Sequence, residues 1–228
     1  MPDTEKQTTN HQYWTPGDRS GGFLFDPILL PLLAVAAVSL IMIAILSQVK
    51  ITAEAAEPQV IVDTQIALLF TPEVRYWEQK IITWSEEWNL DPNLIATVMQ
   101  IESCGNPSAL SSAGAMGLFQ VMPFHFSGPE NPYKPNINAR RGLAYLKQAL
   151  EARAGEPRLG LAGYNAGITG AKQPEQNWPG ETIRYVYWGT GIYQDAIKGK
   201  AHSERLEEWL SAGGASLCTK AAHNLGIP

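Results

Sequence analysis

The chain has 228 residues and a net charge of −5, enough for one medium domain with appendages. No basic run or patch interrupts the acidic balance, which argues against a nucleic-acid binder. His11, His125, His202 and His223 are scattered, with no HExxH, CxxC or Cys/His cluster, so neither a metal nor a cofactor is expected.

Residues 1–27 are polar and glycine-containing and read as a loose tail. Residues 28–49 carry no charge between Asp26 and Lys50, and this apolar run is long enough to cross a bilayer. Pro31 falls in its first turn, where it does little harm. Lys6 and Arg19 precede the run and Lys50 follows it, so the charge bias for orientation is weak. A cleaved signal peptide is the rival, because Ala53-Glu54-Ala55 resembles a small-x-small processing site. Against it, the apolar core is long and the segment before it is not basic. The expected arrangement is a single-pass membrane anchor with the remainder exported; either reading exports it.

Residues 50–70 read as a tether, in which Val60-Ile61-Val62 and Ile66-Ala67-Leu68-Leu69-Phe70 could dock on the domain or stay near the bilayer, and residues 71–200 read as the globular domain. Thr71-Pro72-Glu73 is a helix start, and Trp77, Ile81, Trp84 and Trp88 then recur at helical spacing up to Asn89. Asp91 and Pro92 open a second helix, in which Leu94, Ile95, Val98 and Met99 share one face. Glu102 lies four residues after Val98 and extends that stripe. A carboxylate held against apolar surface is poorly solvated as an anion, so its pKa rises and it becomes a proton donor near neutral pH. The plain alternative is a solvated glutamate, or a buried one paired with a structural arginine.

After Glu102 comes a loop rich in serine and glycine, then the apolar Leu118, Phe119, Val121 and Met122, ended by Pro123. Residues 127–137, rich in Pro and Asn, read as an extended surface loop. Further helices are predicted over residues 138–154 and 158–164, and another from Glu181 that presents Tyr185, Trp188 and Ile192 on one face. Gly189 and Gly191 predict a bend or break in that helix, since each costs about 1 kcal/mol relative to alanine. Residues 201–228 read as an appendage with one short helix through Leu210. With few alternating patterns and no repeats, the domain is predicted to be mainly α. Seven tryptophans and eight tyrosines are many for this length and suit buried core or sugar-stacking surfaces. Cys104 and Cys218 are the only cysteines; in an exported domain they can form a disulfide, the alternative being two partly buried thiols.

Five segments stand in a fixed order: Glu102-Ser103 with Asn106-Pro107; Gly114-Ala115-Met116-Gly117-Leu118-Phe119-Gln120; Asn138 with Gly142 and Tyr145-Leu146; Gly163-Tyr164-Asn165-Ala166-Gly167; and Glu181-Thr182 with Tyr185-Val186. Each alone is weak. Together, over roughly residues 75–195, the series resembles the soluble lytic transglycosylase domain of the goose-type lysozyme-like superfamily. The resemblance implies a lysozyme-like helical domain, here behind an N-terminal transmembrane helix, that cleaves the glycan strands of peptidoglycan. It implies Glu102 as the sole acid/base, Ser103 as a structural residue at the helix end, and Ser111, Gln120, Tyr164, Asn165 and Tyr185 as substrate-side residues. Gly117 and Gly167 are read as shape rather than chemistry. Phe119 stands where the family has Met, Gly163 where it has Ala, and Cys104 where a small residue is common. A Cys104–Cys218 bridge would pin the tail beside the active helix.

Most glycosidases need two carboxylates flanking the bond. No Asp or Glu occurs between Glu102 and Glu130, and the later acids lie in loops or on other helices. The resemblance therefore implies that the sugar's own 6-hydroxyl attacks and closes a 1,6-anhydro ring. Two rivals stand beside this: a hydrolytic muramidase on the same fold, and a non-catalytic peptidoglycan-binding module that recruits cell-wall or secretion machinery.

Overall fold

The computed structural model describes residues 65–228. The predicted tail, membrane span and most of the tether lie outside the described residues, and among those described no helix is long and apolar enough to cross a membrane. The α-helices are α1 (Pro72–Arg75), α2 (Glu78–Trp88), α3 (Pro92–Ser103), α4 (Pro135–Glu151), α5 (Pro157–Ala166), α6 (Gly180–Ile197), α7 (Glu204–Trp209) and α8 (Ala215–Leu225). Among the described residues β-structure is limited to isolated bridges pairing Met116 with Leu110 and with Val121. The domain is mainly α.

α3 is the axle. Asp91 caps it, its Oδ1 accepting from the backbone N–H of Asn93 at 2.7 Å and of Leu94 at 3.2 Å. Leu94, Ile95, Val98 and Met99 are buried, but so are Asn93, Thr97, Gln100 and Ser103. The helix is enclosed on nearly all sides, not along one stripe. Its buried polar groups are satisfied by the segments that wrap it, as burial demands. Asn93 Oδ1 accepts from the Ala67 N–H at 2.8 Å, Gln100 Oε1 from the Thr71 N–H at 3.2 Å, and the Ser103 hydroxyl donates to the Leu118 carbonyl at 2.7 Å. Only Ile101 and Glu102, in the last turn, keep partial access to solvent.

Several boundaries differ from the sequence reading, each for a local reason. Ile66, Leu69 and Phe70 are buried in the core, so of the two places open to residues 66–70 the chain takes docking on the domain, and the packed part begins before Thr71. The helix predicted from Thr71 to Asn89 is two helices, broken at Tyr76–Trp77. There the Trp77 indole N–H reaches across to the Gly105 carbonyl at 2.8 Å, and Thr71 spends its N–H and hydroxyl on Gln100. α4 begins at Pro135 rather than Asn138, because proline suits a first helical turn. α6 runs unbroken through Gly189 and Gly191. A Cβ on Gly189 would meet Leu161 at 3.1 Å and Ile101 at 3.3 Å, and one on Gly191 would meet Arg205 at 2.6 Å. These glycines admit neighbours; the packing they allow offsets their low helix propensity.

Residues 201–228 share the domain's core through Leu206, Trp209, Cys218 and Ala221. α8, absent from the sequence reading, packs against α1 and α3. A wide turn, Leu210–Gly214, joins it to α7, with Gly213 at φ 124° and Gly214 lying under the Trp209 ring. The Cys104 and Cys218 sulfurs are 1.99 Å apart, a disulfide that ties α8 to the C-cap of α3.

Candidate active site

The last turn of α3 opens into a cleft of about 730 Å³, lined among others by Glu102, Ser111, Gln120, Tyr164, Asn165 and Tyr185. Thus five substrate-side residues expected from the sequence gather around the expected acid. They come from four places: α3 gives Glu102, the loop after it gives Ser111 and Gln120, the end of α5 gives Tyr164 and Asn165, and α6 gives Tyr185.

Glu102 sits in the cleft floor with only partial access to solvent, and burial pushes its pKa from 4.5 to about 8. The Tyr185 hydroxyl, donating to Glu102 Oε1 at 2.8 Å, opposes this rise, and the nearby negative charge of Glu181 adds to it. The carboxyl is therefore protonated at neutral pH. Oε2 has no protein partner among the described residues, which leaves that oxygen to carry the proton toward the cleft. The phenols of Tyr164 and Tyr185 are pushed well above their usual range, first by burial and then by the charge of Glu102, so both remain donors.

The other side chains are held by loop geometry. Tyr164 donates to the Phe119 carbonyl at 2.7 Å. Gln120 adopts a left-handed backbone, φ 44°, and its amide N–H groups close the loop onto the Gly117 carbonyl at 2.9 Å and the Ala109 carbonyl at 3.4 Å. Its carbonyl oxygen has no protein partner among the described residues and is the group available to a ligand. Asn165 Oδ1 accepts from the buried Thr182 hydroxyl at 2.7 Å, which frees its N–H groups to donate. Ser111 Oγ accepts from the Ala115 N–H at 2.9 Å.

Ser103 and Gly117 shape the site from behind. Gly117 has φ 73°, and a Cβ there would stand 2.4 Å from Asn138 Nδ2. Asn138 itself is buried, accepting from the Phe119 N–H at 2.8 Å and donating to the Met116 carbonyl at 2.8 Å and the Pro132 carbonyl at 3.0 Å. One amide thus sets the path of the whole loop. Gly167, at φ 81°, ends α5 just beyond Asn165.

Sequence reasoning missed Glu181, Arg184 and Ala212, which also line the cleft. Glu181 precedes Tyr185 by four residues, so helical periodicity puts both on one face of α6. That signal was present in the sequence. Ala212 was not legible, since it depends on the turn between α7 and α8. Glu73 lies close to Cys104 and Cys218, a grouping with the composition of a metal site. The two sulfurs are bonded to each other and offer no thiolate, so we read no metal centre there.

Replacing Tyr185 by Phe removes the donor to Glu102 Oε1. We expect turnover to fall about 10–100-fold, the loss of one hydrogen bond to an ionisable group. Because that bond lowers the Glu102 pKa, the alkaline limb of kcat/KM should move upward from about 8. A pH–rate profile of Tyr185→Phe with an unshifted limb would show that the two groups are not coupled.

The family profile described as Transglycosylase SLT domain matches residues 79–185. A transglycosylase of Enterobacteria phage PRD1 is 40% identical over 111 residues, covering 48% of this chain and 40% of the phage protein. Membrane-bound lytic murein transglycosylase E of Buchnera aphidicola subsp. Baizongia pistaciae is 34% identical over 83 residues, covering 31% of this chain and 39% of its own length. The chain thus spans about two fifths of the length of these curated relatives. The crystal structure of an inactive mutant of lytic transglycosylase Slt from Pseudomonas aeruginosa aligns at TM-score 0.38 and 22% identity, over 65% of this chain and 24% of that one, too low to bear on the fold. The matched stretch runs from α2 to Tyr185 and includes the acid, the loop amide and both tyrosines. Over residues 79–185, a little under half of its length, the chain is similar to the transglycosylase SLT domain family.

Proposed function

We propose that this domain is a peptidoglycan lytic transglycosylase that cuts the β-1,4 bond between MurNAc and GlcNAc without water. The observation that carries the reading is Glu102, protonated at neutral pH, with one oxygen fixed by Tyr185 and the other free toward the cleft. Glu102 Oε2 gives its proton to the glycosidic oxygen as the bond to C1 breaks. The 2-acetamido oxygen of the substrate stabilises the positive centre at C1. The resulting Glu102 carboxylate then takes the proton of the 6-hydroxyl while that oxygen bonds to C1, closing the 1,6-anhydro ring and restoring the acid. Acid and then base at one residue is microscopic reversal. An attacking group already on the substrate replaces water with a high effective concentration. Gln120 and Asn165 offer an acceptor and donors for hydroxyl and acetamide groups, and the half-buried Tyr164 offers an aromatic edge to the sugar.

The uncharged run of residues 28–49 supports an anchored enzyme with its catalytic domain outside the cytoplasmic membrane. The Cys104–Cys218 disulfide fits an oxidising, extracytoplasmic compartment.

Hydrolysis is the second reading, because the Glu181 carboxylate lines the same cleft and could serve a water. Digestion of purified sacculi in heavy-oxygen water separates the two. The transglycosylase yields anhydro-muropeptides that carry no label and lack the mass of one water. Labelled reducing ends would establish hydrolysis instead.

A further inference from the structure

Beyond Gln120 the cleft does not stop. Met122, Gln120 and Tyr164 line both the main cleft and an adjoining recess of about 60 Å³ that continues to Tyr145 and His125. From there a ladder of aromatic rings runs outward. Tyr164 and Tyr145 have centroids 5.8 Å apart, Tyr145 and His125 4.9 Å, and His125 and Phe124 4.5 Å. Phe124 and His125 stand outside all of the segments that carry the family resemblance, on a short turn, Pro123–His125. Phe124 is 76% exposed, an apolar ring held in water at the outer end of this ladder.

We propose that Phe124 and His125 form a stacking platform for a further sugar ring of the glycan strand held at Glu102, with the recess beside Met122 and Tyr145 taking that sugar's acetamido group. The inference rests on the functional reading above. A pyranose ring has an apolar C–H face and a rim of hydroxyl groups. The platform has the matching pattern. Its faces are aromatic, while the His125 ring nitrogens and the Tyr145 hydroxyl have no protein partner among the described residues. Burial, and then the charge of Arg141, lowers the His125 pKa. Its ring is thus neutral near pH 7, with one donor and one acceptor, which suits an uncharged sugar.

The platform is braced before a ligand arrives. Arg141 binds Glu130 through Nε at 2.9 Å and Nη2 at 2.9 Å, and Nη2 reaches the Ser127 hydroxyl at 2.9 Å. Arg140 also pairs with Glu130. These contacts pin residues 127–130, one residue beyond the turn, to α4. Fixing the loop in advance lowers the entropy cost of binding. The recess is too small for a whole ring, so the sugar lies across the platform and not within a pocket.

The test uses the whole chain carrying Glu102→Gln, which binds without turnover, and two neutral probes, chitotriose and chitohexaose, followed by calorimetry. Adding Phe124→Ala should weaken chitohexaose about tenfold, as expected for a lost aromatic face, and leave chitotriose within about twofold. Phe124→Trp should restore or exceed the parent affinity for the hexamer. Unchanged hexamer binding in Phe124→Ala would overturn the platform and leave the functional reading standing. An equal loss for both probes would also overturn it, by putting Phe124 at the central site. If Glu102→Gln, shown folded by circular dichroism, bound neither probe, both the platform and the functional reading would fall.

Discussion

Glu102→Gln should abolish turnover, by at least about 10³-fold, and at the same time make the protein more stable at neutral pH. The first effect follows because an amide has no proton to give and cannot act as base. The second is less usual for an active-site change and follows from linkage. The Glu102 pKa is 4.5 in the absence of structure and about 8 in the fold. A group whose pKa rises on folding contributes its stability fully below the lower value and loses it as pH climbs through the upper one. The wild-type protein should therefore lose stability from about pH 4.5 to about pH 8 through this group, and change no further above that.

Glutamine is neutral at every pH and nearly the same shape. Its carbonyl oxygen can accept from Tyr185 as Glu102 Oε1 does. The difference in Tm between variant and parent should be near zero at pH 4.5 and grow to a plateau near pH 8. The full linkage is on the order of 5 kcal/mol, or about 10–20 °C for a domain of this size, with about two thirds of it reached by pH 7. Thermal scans across that range, comparing the two proteins at each pH, remove the titration of all other groups. A difference that stays flat with pH would mean that Glu102 is ionised in the fold, and the proposed acid would have no proton at neutral pH.

Much of this site could be read from the chain because it is made of short segments whose local chemistry is distinctive. Asp91-Pro92 starts α3 where capping rules put it, and Glu102 follows in its last turn. What the rules could not provide is closure in space. Tyr185 meets Glu102 across 83 residues of sequence, and Thr182 turns Asn165 across 17. Gln120 was legible as a cleft residue, but its donors are spent on backbone carbonyls, so it meets a ligand as an acceptor. Glycine misled in one place and hid an element in another. In α6 it makes room for Leu161 and Arg205 instead of bending the helix. Before α8 the Gly213-Gly214 pair looks like an end to structure, yet it lets the chain turn under Trp209 and continue as a helix. Propensity is a weak prior, and tertiary packing decided both cases.

Removing the Cys104–Cys218 bridge should have the next largest effect. The bridge closes a loop of 114 residues, so it constrains the unfolded chain strongly. In the chain-entropy model a loop of that size is worth about 4–5 kcal/mol, and observed effects for native disulfides are typically about 2–5 kcal/mol. Cys104→Ser with Cys218→Ser should lower Tm by about 5–15 °C. Serine is the right replacement, because the buried Gln100 amide donates to Cys104 Sγ at 3.1 Å and the hydroxyl keeps an acceptor in reach. Alanine would leave that N–H unpaired and add a separate penalty. The double variant should stay folded, since Leu206, Trp209 and Ala221 still anchor the C-terminal helices in the core. A thiol reductant should lower the Tm of the wild-type protein to that of the double-serine variant and leave the variant unmoved. If the wild-type Tm ignores the reductant, the two cysteines are not bridged in solution, and α8 is held beside α3 by its apolar contacts alone.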